Sequence, residues 1–258
     1  MINYEVALGQ FELFVLILIR LASFVFAAPF FNTANVPNRF KIGFSLALSV
    51  IVYSIHPDMS VTYNNMIDYC IIVVQEFIVG VILGAVSAFA VQIIQFSGKM
   101  IDMDIGLSMA QLYDPTTRMQ VGIIGNFYYY MLMLLLILSG MHRFLIEAIA
   151  ETYNIIPIGG VKFGAGLYTT VIQFMSDYFV IGFRIALPVF ATMLLLNCIL
   201  AILARVAPQM NMFVVGMQLK IFAGIFVIFF TIGMLPAVSN FIFEEINNLF
   251  SLLVRGMS

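Results

Sequence analysis

Four stretches of this chain run for twenty or more residues without a charged side chain: Phe77–Gly98, Met119–Met141, Ile185–Ala204 and Ile221–Phe243. Each is long enough to cross a bilayer core, which takes about 20 apolar residues in a helix. Lipid offers backbone N–H and C=O groups no hydrogen-bond partner, so these stretches are predicted as helices. Further apolar runs around Leu13–Ala28 and Ile42–Ile55 bring the expected number of spans to about six. Composition agrees: 63% of residues are hydrophobic and only 9% charged, with a mean hydropathy of +1.08. Soluble domains carry about 25% charged residues. This chain must therefore face lipid or many partner helices.

The first apolar run does not read as a cleaved leader. Ala27-Ala28 could suggest a processing site, but Glu5 and Glu12 precede it, no basic segment does, and Arg20 lies inside the run. Retention is expected. The net charge is −2 and no basic block occurs, which argues against nucleic acid as a partner. Cys70 and Cys198 lie far apart in apolar surroundings and are expected to be buried small hydrophobes. Lysine and arginine usually mark one side of a membrane protein. Here Arg39 and Lys41, Lys99 and Arg118, Arg143 and Lys162, and Arg205 and Lys220 are spread over successive turns. A helix set held by other subunits need not show the bias.

The chain reads as one all-helical domain. Pro29 and Pro37 bracket a polar connector, and His56-Pro57-Asp58 ends the second run. A helical pattern from Tyr63 to about Ser97 would measure about 50 Å, well beyond a bilayer core of about 30 Å. The segments Arg118–Tyr153 and Leu167–Arg205 are similarly long, the latter with a kink expected at Pro188. Gly80 and Gly84, extended by Ala88, make a small-residue face on which another helix can pack closely. The glycine-rich stretch 159–166 lacks a phosphate-loop pattern and is expected to be a plain loop.

Ionisable groups near apolar runs are functional candidates by default. Here these are Arg20, Glu76, Asp177, Arg184, Arg205 and Lys220. Asp177 and Arg184 lie two helical turns apart. Arg143, Glu147 and Glu151 follow at helical spacing and are expected on a solvated face. For Arg20 and Arg184 a packing salt bridge is favoured over a relay. His56 and His142 stand alone, without the neighbouring ligands a metal would need. Asp102 and Asp104 point to different helix faces, so they make a poor carboxylate pair. No nucleophile–base arrangement can be assembled. Neither catalysis nor a cofactor is expected.

Between two apolar segments lies Asp-Met-Asp-Ile-Gly-Leu-Ser-Met-Ala-Gln-Leu-Tyr-Asp-Pro, residues 102–115. A plain loop needs none of this. Its Gly106-Leu107-Ser108-Met109-Ala110, followed by Asp114-Pro115, resembles the central signature of the FliR family, the flagellar type III secretion export-gate membrane proteins. Arg20, Ala28-Pro29, Pro37, Arg39, Lys41 and Gly43 fit that family's first hairpin. Gln75, Gly80 and Gly84 fit its long middle helix, and Pro157-Ile158-Gly159 a loop. Ala186-Leu187-Pro188, Leu196-Asn197, Arg205, Ala207-Pro208-Gln209 and Phe213-Val214-Val215-Gly216 fit the last third. The motifs keep family order over nearly the whole chain. One departure is Gln218, where the family commonly has proline.

The resemblance implies an all-α subunit of a helical, pore-forming complex with FliP-like and FliQ-like partners. About 1–165 would be a FliP-like part, and about 166–258 a FliQ-like hairpin region. Unfolded flagellar subunits would pass through the channel in the bacterial inner membrane. Residues matching 105–121 would form an internal plug, built on Gly106, Leu107, Ser108, Met109, Ala110, Leu112, Tyr113, Asp114 and Pro115. Methionine suits a seal that must repack around varied chains, and an apolar constriction can gate by dewetting. The turn at Arg205, Ala207, Pro208 and Gln209 would be the hairpin tip, where an FlhB-like switch protein packs. The virulence-type export gate is the near alternative. An ion-coupled transporter would need paired mid-membrane acids and inverted repeats, and neither is clear.

Overall fold

A computed structural model describes residues 4–33, 36–57, 59–107, 122–209 and 211–257. All regular structure among the described residues is helical. The helices are α1 (Tyr4–Ala27), α2 (Asn38–Ile55), α3 (Met66–Ile105), α4 (Ile123–Leu138), α5 (Met141–Ile155), α6 (Ala165–Val206), α7 (Met212–Thr231) and α8 (Leu235–Met257), with a 3₁₀ turn at Ile232–Met234 before α8.

Four helical stretches are long and apolar enough to cross a membrane: Leu8–Ala27, Met66–Ile105, Gly166–Val206 and Phe213–Met257. A fifth span arises if α4 and α5 count together. The sequence suggested about six. Two differences account for this. The helix α2 is only 18 residues long and opens with Asn38, Arg39 and Lys41, which dilute its apolar run. The segment expected as one helix up to Tyr153 breaks at Ser139-Gly140, and its two parts meet at 65°. Gly140 sits at φ 83°, a left-handed conformation that glycine adopts without Cβ strain and that stops a helix. Helix α6, by contrast, continues through Pro188 over 42 residues, about 63 Å.

The chain divides into two compact units. The first comprises Met1–Ala90, Gly140–Phe174 and Phe243–Ser258. Its core takes Leu16, Ile17, Leu21 and Phe24 from α1, Val79 and Leu83 from α3, Leu145 and Ile149 from α5, and Leu249 and Leu253 from α8. Edge-to-face rings, Phe24–Phe250 at 6.2 Å and Phe144–Phe243 at 5.5 Å, tie α8 into this core. Gly80 and Gly84 lie directly against α1. A Cβ on Gly80 would run into the Arg20 carbonyl, and one on Gly84 would come within 2.6 Å of Ala27 Cβ. Only glycine lets the two backbones approach this far.

Within this unit α2 is inverted. Its buried residues are Lys41, Ser45, Ser49 and Val52, while Phe40, Ile42, Leu46, Val50, Ile51 and Ile55 are exposed. The serine hydroxyls donate to carbonyls one turn back, Ser45 to Lys41 and Ser49 to Ser45, both at 2.7 Å. Lys41 donates to Asn32 Oδ1 at 2.9 Å and lies over the Phe26 ring. Polar atoms satisfied inward and apolar side chains turned outward suit a helix whose outer face meets lipid or another helix.

The second unit comprises Val91–Ser139 and Met175–Ile242. Ile93, Ile94, Ile101 and Ile105 of α3 and Leu132 and Leu136 of α4 form its core, with Val189 and Met193 of α6. Phe96 packs edge-on against Phe179 at 5.5 Å and Phe183 at 6.0 Å. Ser97 Oγ donates to the Gly182 carbonyl at 2.9 Å, which links α3 to α6. Cys70 and Cys198 are exposed on their helices, not buried as the sequence suggested. In a protein with outward-facing apolar surfaces, an apolar neighbourhood in sequence does not imply the interior.

Candidate functional site

The segment singled out by sequence begins on α3. Asp102, buried to 3% exposure, faces the start of α4. Its Oδ1 accepts from the Ile124 N–H at 3.1 Å and its Oδ2 from the Gly125 N–H at 3.3 Å. The first N–H groups of a helix lack intrahelical acceptors, and the N-cap of α4 is Gly122, which has no side chain to offer. Asp102 supplies the missing acceptor from another helix, in the place where a carboxylate also meets the positive end of the helix dipole. One turn earlier, a Cβ on Gly98 would overlap Gly125 Cα. The two helices therefore meet backbone to backbone.

Asp104 is only partly buried and makes no such contact among the described residues, so the two aspartates serve different faces. Gly106 ends α3 with φ 89° and its N–H donates to the Met103 carbonyl at 3.2 Å. Leu107 is the last described residue before the gap. Ser108, Met109, Ala110, Leu112, Tyr113, Asp114 and Pro115 lie outside the described residues.

The turn between α6 and α7 projects an exposed end. Arg205, Pro208 and Gln209 are exposed and Ala207 partly so. The Ala207 N–H closes α6 on the Leu203 carbonyl at 2.8 Å. Asn211 caps α7 through Oδ1, which accepts from the Phe213 N–H at 3.2 Å. Val206 and Phe213 flank the turn with 76% and 66% exposure, so its surroundings are apolar as well as cationic.

The densest polar cluster lies elsewhere. Arg20 and Glu76 form a fully buried ion pair: Arg20 Nε donates to Glu76 Oε2, and Nη2 donates to Oε1 at 3.0 Å. The remaining Arg20 donor reaches Thr152 Oγ1 at 3.3 Å and the Ile156 carbonyl at 3.2 Å. The guanidinium carbon stands 4.3 Å from the centroid of the Tyr153 ring. Gly159, at φ 75°, donates its N–H to Glu76 Oε1 at 3.2 Å. The glycine-rich loop thus completes the carboxylate's shell. A buried pair holds only when its spare lone pairs and protons are met, and here they are. Sequence reasoning named both residues without pairing them, because 56 positions separate them. The only signal was that each sits as a lone charge in an apolar run.

The other ionisable candidates do not converge. Asp177, Arg184, Arg143, Glu147 and Glu151 are exposed, and no ion pair among them occurs. No cluster of three metal-ligating side chains occurs among the described residues. Outside the spans, Tyr63 donates to Glu12 Oε2 at 2.6 Å, and this bond to the carboxylate raises the phenol above its ordinary pKa. A cavity of about 310 Å³ bordered by Tyr128, Arg184, Pro188, Thr231, Leu235 and Phe241 is almost wholly apolar. Its one internal polar pair is Tyr128 Oη and Thr231 Oγ1 at 3.0 Å. The described geometry offers helix contacts, a clamp and an exposed tip, with no assembled reaction centre.

The chain is 32% identical over 251 residues to the flagellar biosynthetic protein FliR of Bacillus subtilis, covering 96% of this chain and 93% of that protein. It is 26% identical over 258 residues to the protein of the same name in Escherichia coli, covering 99% and 98%. It is 27% identical over 212 residues to the surface presentation of antigens protein SpaR of Shigella sonnei, covering 81% of each. The family model for bacterial export proteins, family 1, matches residues 11–246, and the chain belongs to that family.

Proposed function

We propose that this chain is a membrane subunit of the flagellar type III secretion export gate, needed for flagellum assembly. Similarity to FliR proteins over nearly the full length of both chains carries the reading. The apolar spans support it, since a gate subunit must sit in the membrane. In this reading the chain joins FliP-like and FliQ-like subunits around a channel in the bacterial inner membrane. Unfolded flagellar proteins cross through that channel. About 1–165 acts as the FliP-like part and about 166–258 as the FliQ-like hairpin region. The chain contributes transport structure rather than catalysis.

Residues 106–115 act as the internal plug. Met109 and Leu112 provide an apolar seal that excludes water and ions and repacks around a passing chain. Gly106 gives slack where α3 ends, and Asp114-Pro115 stops any helix in the segment. The exposed turn at Arg205, Ala207, Pro208 and Gln209 receives an FlhB-like switch protein. The close approach of Gly80 and Gly84 to α1 keeps the frame stiff.

Two experiments test this. The chain should purify with FliP-like and FliQ-like partners and be poorly stable alone; a stable monomer with full activity in liposomes would sink the reading. Deleting Met109–Leu112, or replacing both residues with glycine, should raise ion leakage, and unchanged conductance would remove the plug. The resemblance to SpaR keeps a virulence-type export gate as the second reading. The longer and closer match to flagellar proteins favours the first. Complementation of a strain lacking its flagellar gate subunit, scored against one lacking the virulence subunit, separates them.

A further inference from the structure

The apolar cavity of about 310 Å³ lies wholly within the second unit, between α6 and the join of α7 with α8. Its origin is local. Pro188 has no N–H, and its ring crowds the carbonyl of Arg184 one turn back, so α6 cannot pack here as a regular helix would. Across the cavity the chain passes through the 3₁₀ turn Ile232–Met234, and Pro236 follows. Two irregular stretches face each other and leave a space that side chains do not fill. The hydroxyls in its wall are already satisfied. Tyr128 Oη pairs with Thr231 Oγ1 at 3.0 Å, and Thr231 Oγ1 donates to the Ile228 carbonyl at 3.1 Å. A polar ligand would find little inside to hold it.

Arg184, on the border, is the contrasting group. It is exposed, and its guanidinium makes no ion pair among the described residues. Its level is informative. Arg184 immediately precedes Ile185–Ala204, a run of twenty charge-free residues, and Arg205 immediately follows it. Such a run measures about 30 Å as a helix, the thickness of a bilayer core. Crossing on it puts an arginine at each headgroup level, and the cavity extends from Arg184 past Ile185 to Pro188 on the hydrocarbon side. We propose that this cavity is a lipid site: it takes part of one acyl chain of an anionic phospholipid, whose phosphate is held by Arg184. An amphiphile with one charged end matches a single cation above apolar walls, and a planar guanidinium suits phosphate. An apolar helix from a neighbouring subunit would cover the cavity but leave Arg184 without a counter-charge.

For the test, the full chain is extracted with the subunits that accompany it and washed in detergent, and its retained phospholipid is counted by mass spectrometry. The parent should keep phosphatidylglycerol in preference to phosphatidylcholine. Arg184→Ala should lower the retained phosphatidylglycerol roughly tenfold, through loss of a charge-assisted contact. Arg184→Lys, which keeps the charge without the planar fork, should fall between the two. Ala237→Phe should also lower it, because Ala237 is an exposed residue of the cavity wall and the ring fills the space without touching the charge. Melting in nanodiscs separates binding from packing. Phosphatidylglycerol added to phosphatidylcholine should raise the parent's melting temperature and leave Arg184→Ala and Ala237→Phe unmoved. A packing role alone would lower Arg184→Ala equally in both lipids and preserve its lipid content, which would overturn the proposal. A diazirine amino acid in place of Ala237 should give adducts with phospholipid on illumination. An adduct with a neighbouring subunit instead, or none with lipid, also overturns it. The site depends on the chain lying in a membrane and not on its part in export, so purification without companion subunits would count against the export gate alone.

Discussion

The contact of α1 with α3 and the hairpin of α6 with the helices after it are equally apolar in sequence, yet they are built on opposite terms. Within an 18-residue apolar window of each span, 44% of the residues are buried in Leu8–Ala27 and 56% in Met66–Ile105, against 17% in both Gly166–Val206 and Phe213–Met257. The first pair closes on itself. Glycines bring the backbones together, and the Arg20–Glu76 pair spends its hydrogen-bonding capacity inside the chain. The hairpin leaves Leu195, Val206, Phe222, Phe226 and Phe229 exposed. Apolar sequence shows that a helix avoids water. What it meets instead, its own chain or a neighbour, is a matter of shape and of where polar atoms find partners.

The sharpest way to break this contrast is at the ion pair. Arg20→Ala leaves the Glu76 carboxylate buried without its cation and should cost about 3–5 kcal/mol. Proteolytic susceptibility of the purified complex, followed against denaturant, measures it. A loss below about 1 kcal/mol would show that the pair is not what holds the first unit together. Replacing both partners with apolar residues of similar size should recover much of the loss.

Glycine substitutions come next. Gly80→Ala forces a methyl into the Arg20 carbonyl and should cost about 1–3 kcal/mol as overpacking. In the hairpin, a Cβ on Gly216 meets only the end of the Leu200 side chain, at 3.2 Å. Gly216→Ala should therefore stay within about 0.5 kcal/mol. Equal effects by thermal melting would erase the distinction between the two regions.

On the hairpin, Phe222→Ser should leave the chain's own fold within about 0.5 kcal/mol, because the side chain is 75% exposed. It should nonetheless reduce recovery of the chain in membranes or with partner subunits, as read by co-purification. Full recovery would mean that this face meets neither lipid nor protein.

The smallest effect should come from Tyr63→Phe, which removes one exposed bond to Glu12. The phenol's pKa is raised in the folded chain, so any contribution is present below the ordinary tyrosine pKa. It is lost as pH rises through the raised value. No change in melting temperature is expected at neutral pH, and a clear one would place more structure at this end than the geometry suggests.

Much of the fold is legible in the order of residues. The charge-free runs dictate helices, and Gly80 and Gly84 mark a close contact. The break at Ser139-Gly140 was missed because the apolar run continues through it, and only the left-handed φ of Gly140 shows the turn. The burial expected for Cys70 and Cys198 failed for a related reason: hydropathy does not tell an inner face from an outer one. In the candidate site, spacing alone separated Asp102 from Asp104. The partner of Asp102 was invisible, since it is backbone rather than a recognisable side chain.

The sequence by itself determined that the chain is helical, that it avoids water and which family it belongs to, because these follow from composition, period and local motif. Only the tertiary structure decided which lone charges pair, which glycines touch and which apolar faces stay open. Those outcomes depend on groups 22, 56 and 132 positions apart, backbone in the first case and side chains in the others, meeting at hydrogen-bond distance. No local pattern encodes a contact of that range; it emerges only when the helices have packed.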